Sequence, residues 1–228
     1  MSPAYAWPVE PAVVVMPEGS HRTGMTLEDP WLAATWPFVA DHLPRPPATV
    51  LEIGCGTKGG FVPALHDAGY AAVGVDPNAP QARGYVQAEF EGYPVKHPVE
   101  AIVACTSLHR VAGLDTVLDR VAAALAPGGT LVVVEWARER FDEATARWCF
   151  ERLAPPAPDG HPGWLRELHT GRQILRSLTA RFDTRLSAET AYFFADLHEV
   201  TEAAEQAAVT AGLIRATGIR YVGRAGSR

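Results

Sequence analysis

The stretch Val50–Gly60, VLEIGCGTKGG, decides which fold the rest of the chain can adopt. Three apolar residues surround Glu52, and the glycines Gly54 and Gly56 follow directly. A strand that ends in glycines lets a ligand or another segment of backbone approach closely, because no Cβ stands in the way. The stretch therefore predicts a buried strand and then a ligand-binding loop, with a carboxylate two residues before the first glycine.

Strand and helix patterns alternate around this stretch. Asp29 and Pro30 form an N-cap and first-turn pair, which predicts a helix that continues to about Leu43. The segments that follow predict a helix over 61–68, strands over 71–75, 85–88 and 99–105, a helix over 114–125 that ends before a Pro-Gly-Gly turn, and a strand over 131–134. Such alternation predicts a parallel sheet with both faces covered, and ligands bind such sheets at the carboxyl ends of the strands.

The chain after Glu135 follows a different pattern. Helices are predicted over 141–153 and 164–178, on either side of a stretch rich in proline and glycine. An edge strand with a turn over 182–194, a helix over 197–211 and a closing strand over 213–222 follow. The closing strand alternates in polarity toward its end, so we expect it to be antiparallel to its neighbours.

Composition and charge argue against several classes of protein. The net charge of -6 does not favour a nucleic-acid partner, which needs a basic face. No apolar run approaches the roughly 20 residues of a membrane span, and the N-terminus lacks the basic start of a signal peptide, so a cytoplasmic protein is expected. Cys55, Cys105 and Cys149 form no C-x-x-C pair, and His161 and His169 lack metal-ligand spacing. Neither a disulfide framework nor a metal site is therefore expected.

Two classes of ligand fit a glycine loop after the first strand. Gly54, Gly56 and Gly59 satisfy the G-x-G-x-x-G spacing of dinucleotide-binding loops, whose backbone N–H groups face a pyrophosphate. Glu52 would repel a pyrophosphate, but it suits a ligand that carries a positive charge. Asp76 follows the second strand and suits a ribose, because a carboxylate can accept hydrogen bonds from both ribose hydroxyls.

Five motifs between Val50 and Trp136 resemble the S-adenosylmethionine-binding core of the class I methyltransferases, in the broad group labelled type 11. In chain order they are LEIGCGTKGG, VGVDP, AEFEGYP, ACTSLHRV and LAPGGTLVVVEW, and TGIRYVGR resembles the last strand of such a fold. The resemblance implies a Rossmann-like α/β fold with a seven-stranded, mostly parallel sheet, helices on both faces and an antiparallel last strand. The chain departs from many members at Lys58, where they have glycine.

The resemblance also implies a set of residues that bind S-adenosylmethionine and its product S-adenosylhomocysteine. Glu52 is similar to the acid that organises the glycine loop, and Asp76 would hold the ribose hydroxyls. Glu89 would accept from the adenine amino group, Phe90 would cover the ring, and the backbone near Thr106 would face the methionyl amino group. The full set is Glu52, Gly54, Cys55, Gly56, Asp76, Pro77, Glu89, Phe90, Cys105 and Thr106.

Two residues are candidates for the acceptor side of the site. His109 follows the fourth strand, near the expected position of the methyl group, where a histidine can act as a general base. The alternative is a histidine that packs or caps at the start of a helix. Trp136 follows the fifth strand and is either an aromatic wall of the acceptor pocket or part of the core. Some methyltransferases use no base, because orientation of the reactants supplies much of the acceleration.

The resulting hypothesis is methyl transfer from S-adenosylmethionine to a small-molecule acceptor by a monomer or homodimer. One alternative is another use of the sulfonium, such as cyclisation or methylation at carbon, and a second is a non-catalytic, cofactor-binding partner subunit. An oxidoreductase is a further alternative. The acidic charge and the lack of an appended binding module disfavour nucleic acid and protein as acceptors.

One methyltransferase domain is expected over residues 1–228. Its parts are an irregular N-terminal segment or lid (1–28), a cofactor-binding core (29–136), a helical insertion on the acceptor side (137–181) and C-terminal strands with a helix (182–228). The first 28 residues are rich in proline, and the insertion lies where the family places its acceptor-selecting segments.

Overall fold

A seven-stranded sheet forms the centre of the protein, for which a computed structural model describes residues 29–153 and 169–226. The strands are β1 (Thr49–Ile53), β2 (Ala71–Val75), β3 (Tyr85–Val86), β4 (Val99–Cys105), β5 (Leu125–Trp136), β6 (Asp183–Thr190) and β7 (Gly218–Arg224), in the order β3-β2-β1-β4-β5-β7-β6. β7 is antiparallel to β5 and β6, and the other neighbouring pairs are parallel. The predicted fold class is confirmed.

Helices cover both faces of this sheet. They are α1 (Pro30–His42), α2 (Val62–Asp67), α3 (Leu114–Ala124), α4 (Glu143–Phe150), α5 (Gly171–Thr179) and α6 (Glu202–Thr210). One hydrophobic core joins α1 and α2 to alternate residues of the central strands, including Val50, Val103 and Val132. A second core joins α3 and α5 to the residues in between, including Ile102 and Val133. The central strands are apolar on both faces for this reason.

Capping side chains set several helix boundaries. Asp29 caps α1 as predicted, and its Oδ1 accepts the Trp31 N–H at 2.9 Å. Asp142 and Thr201 cap α4 and α6, so both helices begin later than the apolar pattern alone predicts. Thr170 and Gln173 form a capping box that starts α5 at Gly171. The first part of the helix predicted over 164–178 lies outside the described residues.

Three strand boundaries also differ from the prediction. β5 begins at Leu125 rather than after the Pro-Gly-Gly turn, and its pairing with β4 shifts register opposite Val99 and Ala101 before it becomes regular at Thr130. β3 has only two residues, which pair with Gly74 and Val75. The closing strand β7 lies over Gly218–Arg224 rather than 213–222, since the chain between α6 and Gly218 is a connecting segment.

The carboxyl ends of β1, β2, β4 and β5 meet at one edge of the sheet. This edge collects the polar residues that follow those strands, as the sequence predicted. Over 29–153 and 169–226, no helix has the length and hydrophobicity that crossing a bilayer requires. The predicted N-terminal segment (1–28) and the whole proline-rich stretch (154–163) fall outside the described residues.

Candidate active site

The loop after β1 closes over a buried carboxylate. Glu52 is only 2% exposed, and both of its oxygens accept the Phe61 N–H, at 2.8 and 3.0 Å. A Cβ placed on Gly60 would lie 2.2 Å from Glu52 Oε1. The glycine at position 60 therefore leaves room for the backbone to wrap around this acid. Glu52 organises the loop from beneath, through a backbone hydrogen bond.

Burial raises the pKa of Glu52 from its ordinary value of 4.5 to about 8, against the opposing effect of hydrogen bonds from the Phe61 and Val62 N–H groups. The nearby Asp76 carboxylate raises this pKa further. The unfolded chain holds a proton on Glu52 less tightly than the folded chain does. The contribution of Glu52 to the free energy of unfolding is therefore fully present below about pH 4.5 and is lost as the pH rises to about 8.

Glu52→Gln is expected to remove this pH dependence, because the amide oxygen still accepts the Phe61 N–H but does not ionise. The difference in unfolding free energy between variant and wild type should grow by about 1.4 kcal/mol per pH unit between pH 5 and 8. Urea unfolding of both proteins across this range measures the difference, in which the other carboxyl groups cancel. Parallel stability curves would show that Glu52 ionises as easily in the folded chain as in the unfolded one.

A cavity of about 300 Å³ lies at the carboxyl edge of the sheet. The residues predicted to bind the cofactor that line it are Gly54, Gly56, Asp76, Pro77, Glu89, Phe90 and Thr106. Glu52, Cys55, Cys105, His109 and Trp136 are not among its lining residues. A larger cleft of about 1010 Å³ lies at the opposite ends of β1 and β2 and contains none of the predicted site residues.

Asp76 joins two loops at the floor of this cavity. Its Oδ2 accepts the Gly56 N–H at 3.1 Å, and its Oδ1 accepts the Asn78 N–H at 2.7 Å. A carboxylate can accept about four hydrogen bonds, so each oxygen retains a position for a ligand hydroxyl. The sequence placed Asp76 at the end of β2, and in the structure Asp76 follows this strand and lines the cavity.

The loops after β1 and β4 touch each other at Gly54. This glycine has φ of +80°, and a Cβ on it would lie 2.3 Å from the Ser107 Cβ. Thr106, at the end of β4, also has a positive φ, of 52°. Such a backbone is uncommon for a β-branched residue and is typical of functional sites. The Thr106 N–H donates to the Val134 carbonyl at 2.8 Å, which holds the turn against β5.

The opposite wall of the cavity belongs to the short turn after β3. Glu89 is exposed and lines the cavity. Phe90 begins a 3₁₀ turn over Phe90–Gly92 and is 4% exposed, so its ring packs in the core at the cavity wall. The adenine-binding roles of Glu89 and Phe90 that the resemblance implies stay predictions.

The cysteine side chains are part of the core. Cys55 and Cys105 are 1% and 2% exposed, and Cys149 is fully buried. A Cβ on Gly74 would lie 2.8 Å from the Cys55 Sγ, so this thiol fills space between β2 and the loop. Burial raises the pKa of all three thiols. Thiols of this kind stay protonated and are not nucleophiles at neutral pH.

A second buried carboxylate, Glu135, organises the loop after β4. Its Oε1 accepts the Ser107 and Leu108 N–H groups at 2.7 and 2.5 Å. Its Oε2 lies 2.7 Å from His109 Nδ1 and accepts the Trp136 N–H at 3.2 Å. The sequence predicted that Glu135 lies at the carboxyl edge of the sheet, but it predicted no role for this residue. The available signal was its position: like Glu52, it is an acid at the end of a buried strand.

The contact with Glu135 fixes which nitrogen of His109 carries a proton. With Glu135 Oε2 as the acceptor of this hydrogen bond, a neutral ring donates Nδ1–H and has its lone pair on Nε2. The Nε2 atom is buried and has no hydrogen-bond partner among residues 29–153 and 169–226. His109 and Glu135 are 3% and 0% exposed, so this pair lies behind the cavity wall.

Trp136 belongs to a buried aromatic cluster that also contains Phe141, Tyr192 and Phe193. The Trp136 ring stacks on Tyr192 at 6.5 Å between centroids and meets Phe193 edge-on at 5.9 Å. It also meets the His109 ring edge-on at 6.4 Å. Glu205, 1% exposed, fixes the far side of the cluster by accepting the Tyr192 and Phe193 N–H groups at 2.8 and 3.2 Å. The aromatic cluster therefore contacts the His109 ring through Trp136, the last residue of β5.

The chain is similar to a known protein family. Residues 31–179 match the family described as methyltransferase domain. No curated protein matches the sequence. Within the part of the chain that the structure describes, no group of three or more His, Cys, Asp or Glu side chains could hold a metal ion.

Solved structures with the same fold include three methyltransferases. An S-adenosylmethionine-dependent methyltransferase from Mesorhizobium loti is 18% identical to this chain, with a TM-score of 0.57. The match covers 84% of this chain and 98% of the Mesorhizobium chain. The N-methyltransferase NodS from Bradyrhizobium japonicum, in complex with S-adenosylhomocysteine, is 15% identical, with a TM-score of 0.55 and coverage of 87% and 90%. The 1,6-didemethyltoxoflavin-N1-methyltransferase from Burkholderia thailandensis is 16% identical, with a TM-score of 0.56 and coverage of 87% and 80%.

Proposed function

Because the chain belongs to the methyltransferase-domain family, we propose that it methylates a small-molecule acceptor and that His109 is the general base. The observation that carries the proposal is the buried His109–Glu135 pair, at 2.7 Å, which lies behind the cavity wall next to the cavity-lining Arg110. S-adenosylmethionine supplies an electrophilic methyl group on a sulfonium, and S-adenosylhomocysteine is the product. The residues of the cavity fit this cofactor, since Asp76 has acceptor positions for a ribose and Glu89 faces the cavity beside Phe90.

The proposed roles divide between two halves of the site. On the cofactor side, Gly54 and Gly56 bring the loop backbone against the methionyl part, and the turn at Thr106 faces its amino group. The backbones of Cys55 and Cys105 belong to these two turns, and Pro77 adds a wall beside Asp76. Glu52 does not line the cavity; it holds the loop after β1 by accepting the Phe61 N–H.

On the acceptor side, His109 Nε2 takes a proton from the attacking group. Glu135 holds the imidazole in the tautomer that leaves Nε2 free, and its charge stabilises the imidazolium that forms. Trp136 and the rest of the aromatic cluster hold the His109 ring on its β5 side. Positioning of the nucleophile in line with the methyl group contributes the remaining acceleration.

Charge and the known relatives support a small acceptor. The chain carries a net charge of -6, which disfavours nucleic acid. The Burkholderia enzyme was solved with bound 1,6-didemethyltoxoflavin, so this fold can accommodate a small acceptor. The active form that we propose is a monomer or homodimer.

Label transfer tests the proposal directly. With S-adenosylmethionine labelled in its methyl group and a fractionated cell extract, label should appear in the low-mass fraction. Label in protein or nucleic acid would overturn the small-molecule assignment. Binding of S-adenosylhomocysteine without any label transfer would instead favour a non-catalytic, cofactor-binding subunit.

Asp76→Ala tests the cofactor half of the site. Loss of hydrogen bonds to a charged group should weaken S-adenosylhomocysteine binding by about 10- to 150-fold, which corresponds to roughly 1.5–3 kcal/mol. Calorimetry with purified protein measures this affinity. Gln81→Ala is a matched control in the same loop, because Gln81 is exposed and is not among the residues that line the cavity. Equal affinities of the Asp76 variant and wild type would remove Asp76 from the binding site.

A further inference from the structure

One cation stands among the acids at the cofactor cavity. The charged residues that line it, within the described chain, are Asp76, Glu89, Glu91 and Arg110. Arg110 ends the short turn Leu108–Arg110, directly after His109. It therefore lies on the segment that joins the cofactor cavity to the proposed base.

The Arg110 guanidinium has no hydrogen bond or ion pair with any residue in 29–153 or 169–226. The residue is solvent-accessible as a whole, yet partial burial of the guanidinium lowers its pKa. Tyr192, Glu135 and Asp76 act on this pKa in the opposite direction, so the guanidinium lies within electrostatic reach of all three. Arg110 therefore lies near both Asp76, which lines the cavity, and Tyr192, which belongs to the aromatic cluster.

The two nearest carboxylates have other partners. Glu135 accepts four hydrogen bonds, two on each oxygen, which is the capacity of a carboxylate. Asp76 accepts two, and its remaining positions face the cavity. Within the described residues, the partly buried Arg110 guanidinium therefore lacks a hydrogen-bonding partner, which an anionic group of a ligand would supply.

We propose that Arg110 binds an anionic group of the acceptor, a carboxylate or a phosphate. This proposal rests on the proposed function and deepens it by naming the substrate class. The planar fork of an arginine matches the two oxygens of such groups. The acceptor is the expected source of the anion because Arg110 adjoins His109 and reaches toward Tyr192. The methionyl part of the cofactor is instead assigned to the glycine loop.

An equilibrium measurement tests this preference without a known acceptor. Protein saturated with S-adenosylhomocysteine is titrated by calorimetry with benzoate and with benzamide, its neutral counterpart of the same shape. Wild type should bind benzoate at least about 10-fold more tightly than benzamide, as expected for a charge-assisted pair. Arg110→Gln should bring this ratio close to one, and Arg110→Lys should leave it intermediate. Arg185→Gln, which removes an exposed arginine on β6, should leave it unchanged.

Three outcomes would overturn the proposal: no preference for benzoate in wild type, a preference that survives in Arg110→Gln, or a loss of cofactor affinity in that variant. The last is checked with S-adenosylhomocysteine and 5′-methylthioadenosine, which lacks the carboxylate. Weaker binding of the first alone would assign Arg110 to the cofactor. The titration requires no methyl transfer, so failure of the proposed activity in the label experiment is a separate result.

Discussion

His109→Ala is expected to retain S-adenosylhomocysteine affinity and to lose about 10²–10⁴ in turnover, the usual contribution of a positioned acid-base group. The reason is that Nε2 carries the lone pair, while Nδ1 is committed to Glu135 at 2.7 Å. Wild-type turnover should also fall in acid, because a protonated ring cannot accept a second proton. The variant should lack this acid limb. Calorimetry and the pH dependence of turnover measure the two effects once an acceptor is identified.

Two other outcomes have distinct signatures. If His109 only packs against Trp136, the variant should lose stability while turnover per folded molecule stays near that of wild type. If His109 binds the acceptor without moving a proton, the Michaelis constant should rise and both proteins should have a flat pH profile. His169→Ala is the matched control, because His169 Nε2 bonds the Val111 carbonyl at 2.8 Å in the same region. This control should lower the free energy of unfolding and keep the acid limb.

The positions of Glu52 and Asp76 could be predicted because each follows a strand that alternation along the sequence defines. Parallel strands bring their carboxyl ends to one edge, so sequence order alone places both acids there. The role of Glu135 could not be predicted in this way. Its hydrogen bonds reach Ser107, Leu108 and His109, at least 26 residues earlier in the chain. The pairing of β4 with β5, which ends with Cys105 opposite Val134, brings these segments together.

Strand and helix boundaries depended on interactions that a pattern of apolar residues does not contain. β5 begins before its Pro-Gly-Gly turn because Leu125 pairs with Val99 across a shift in register. β7 is displaced toward the C-terminus because its pairing with β5 begins at Gly218 opposite Trp136. Arg110 was also missed as a site residue. An arginine after a histidine has no periodic signal, and the turn Leu108–Arg110 that brings it to the cavity follows from contacts distant in sequence.

Gly54→Val is expected to abolish measurable S-adenosylhomocysteine binding, with affinity reduced by more than about 100-fold, while the sheet stays folded. Gly54 has φ of +80°, a conformation that a β-branched residue adopts only with strain. Its new Cβ would also lie 2.3 Å from the Ser107 Cβ, far inside contact distance. The loop after β1 or the loop after β4 must then move, and both form walls of the cofactor cavity. Calorimetry measures the affinity, and circular dichroism with thermal unfolding checks the fold.

Gly92→Val is the matched control for this substitution. Gly92 ends the turn Phe90–Gly92 beside the same cavity, and a Cβ there would meet nothing within 4 Å. The control introduces the same side chain near the site without a steric conflict, so it should bind S-adenosylhomocysteine within about threefold of wild type, or roughly 0.65 kcal/mol. Normal binding by Gly54→Val would mean that the loop yields without cost to the cavity. The glycine after β1 would then serve the packing of the β4 loop rather than the approach of a ligand.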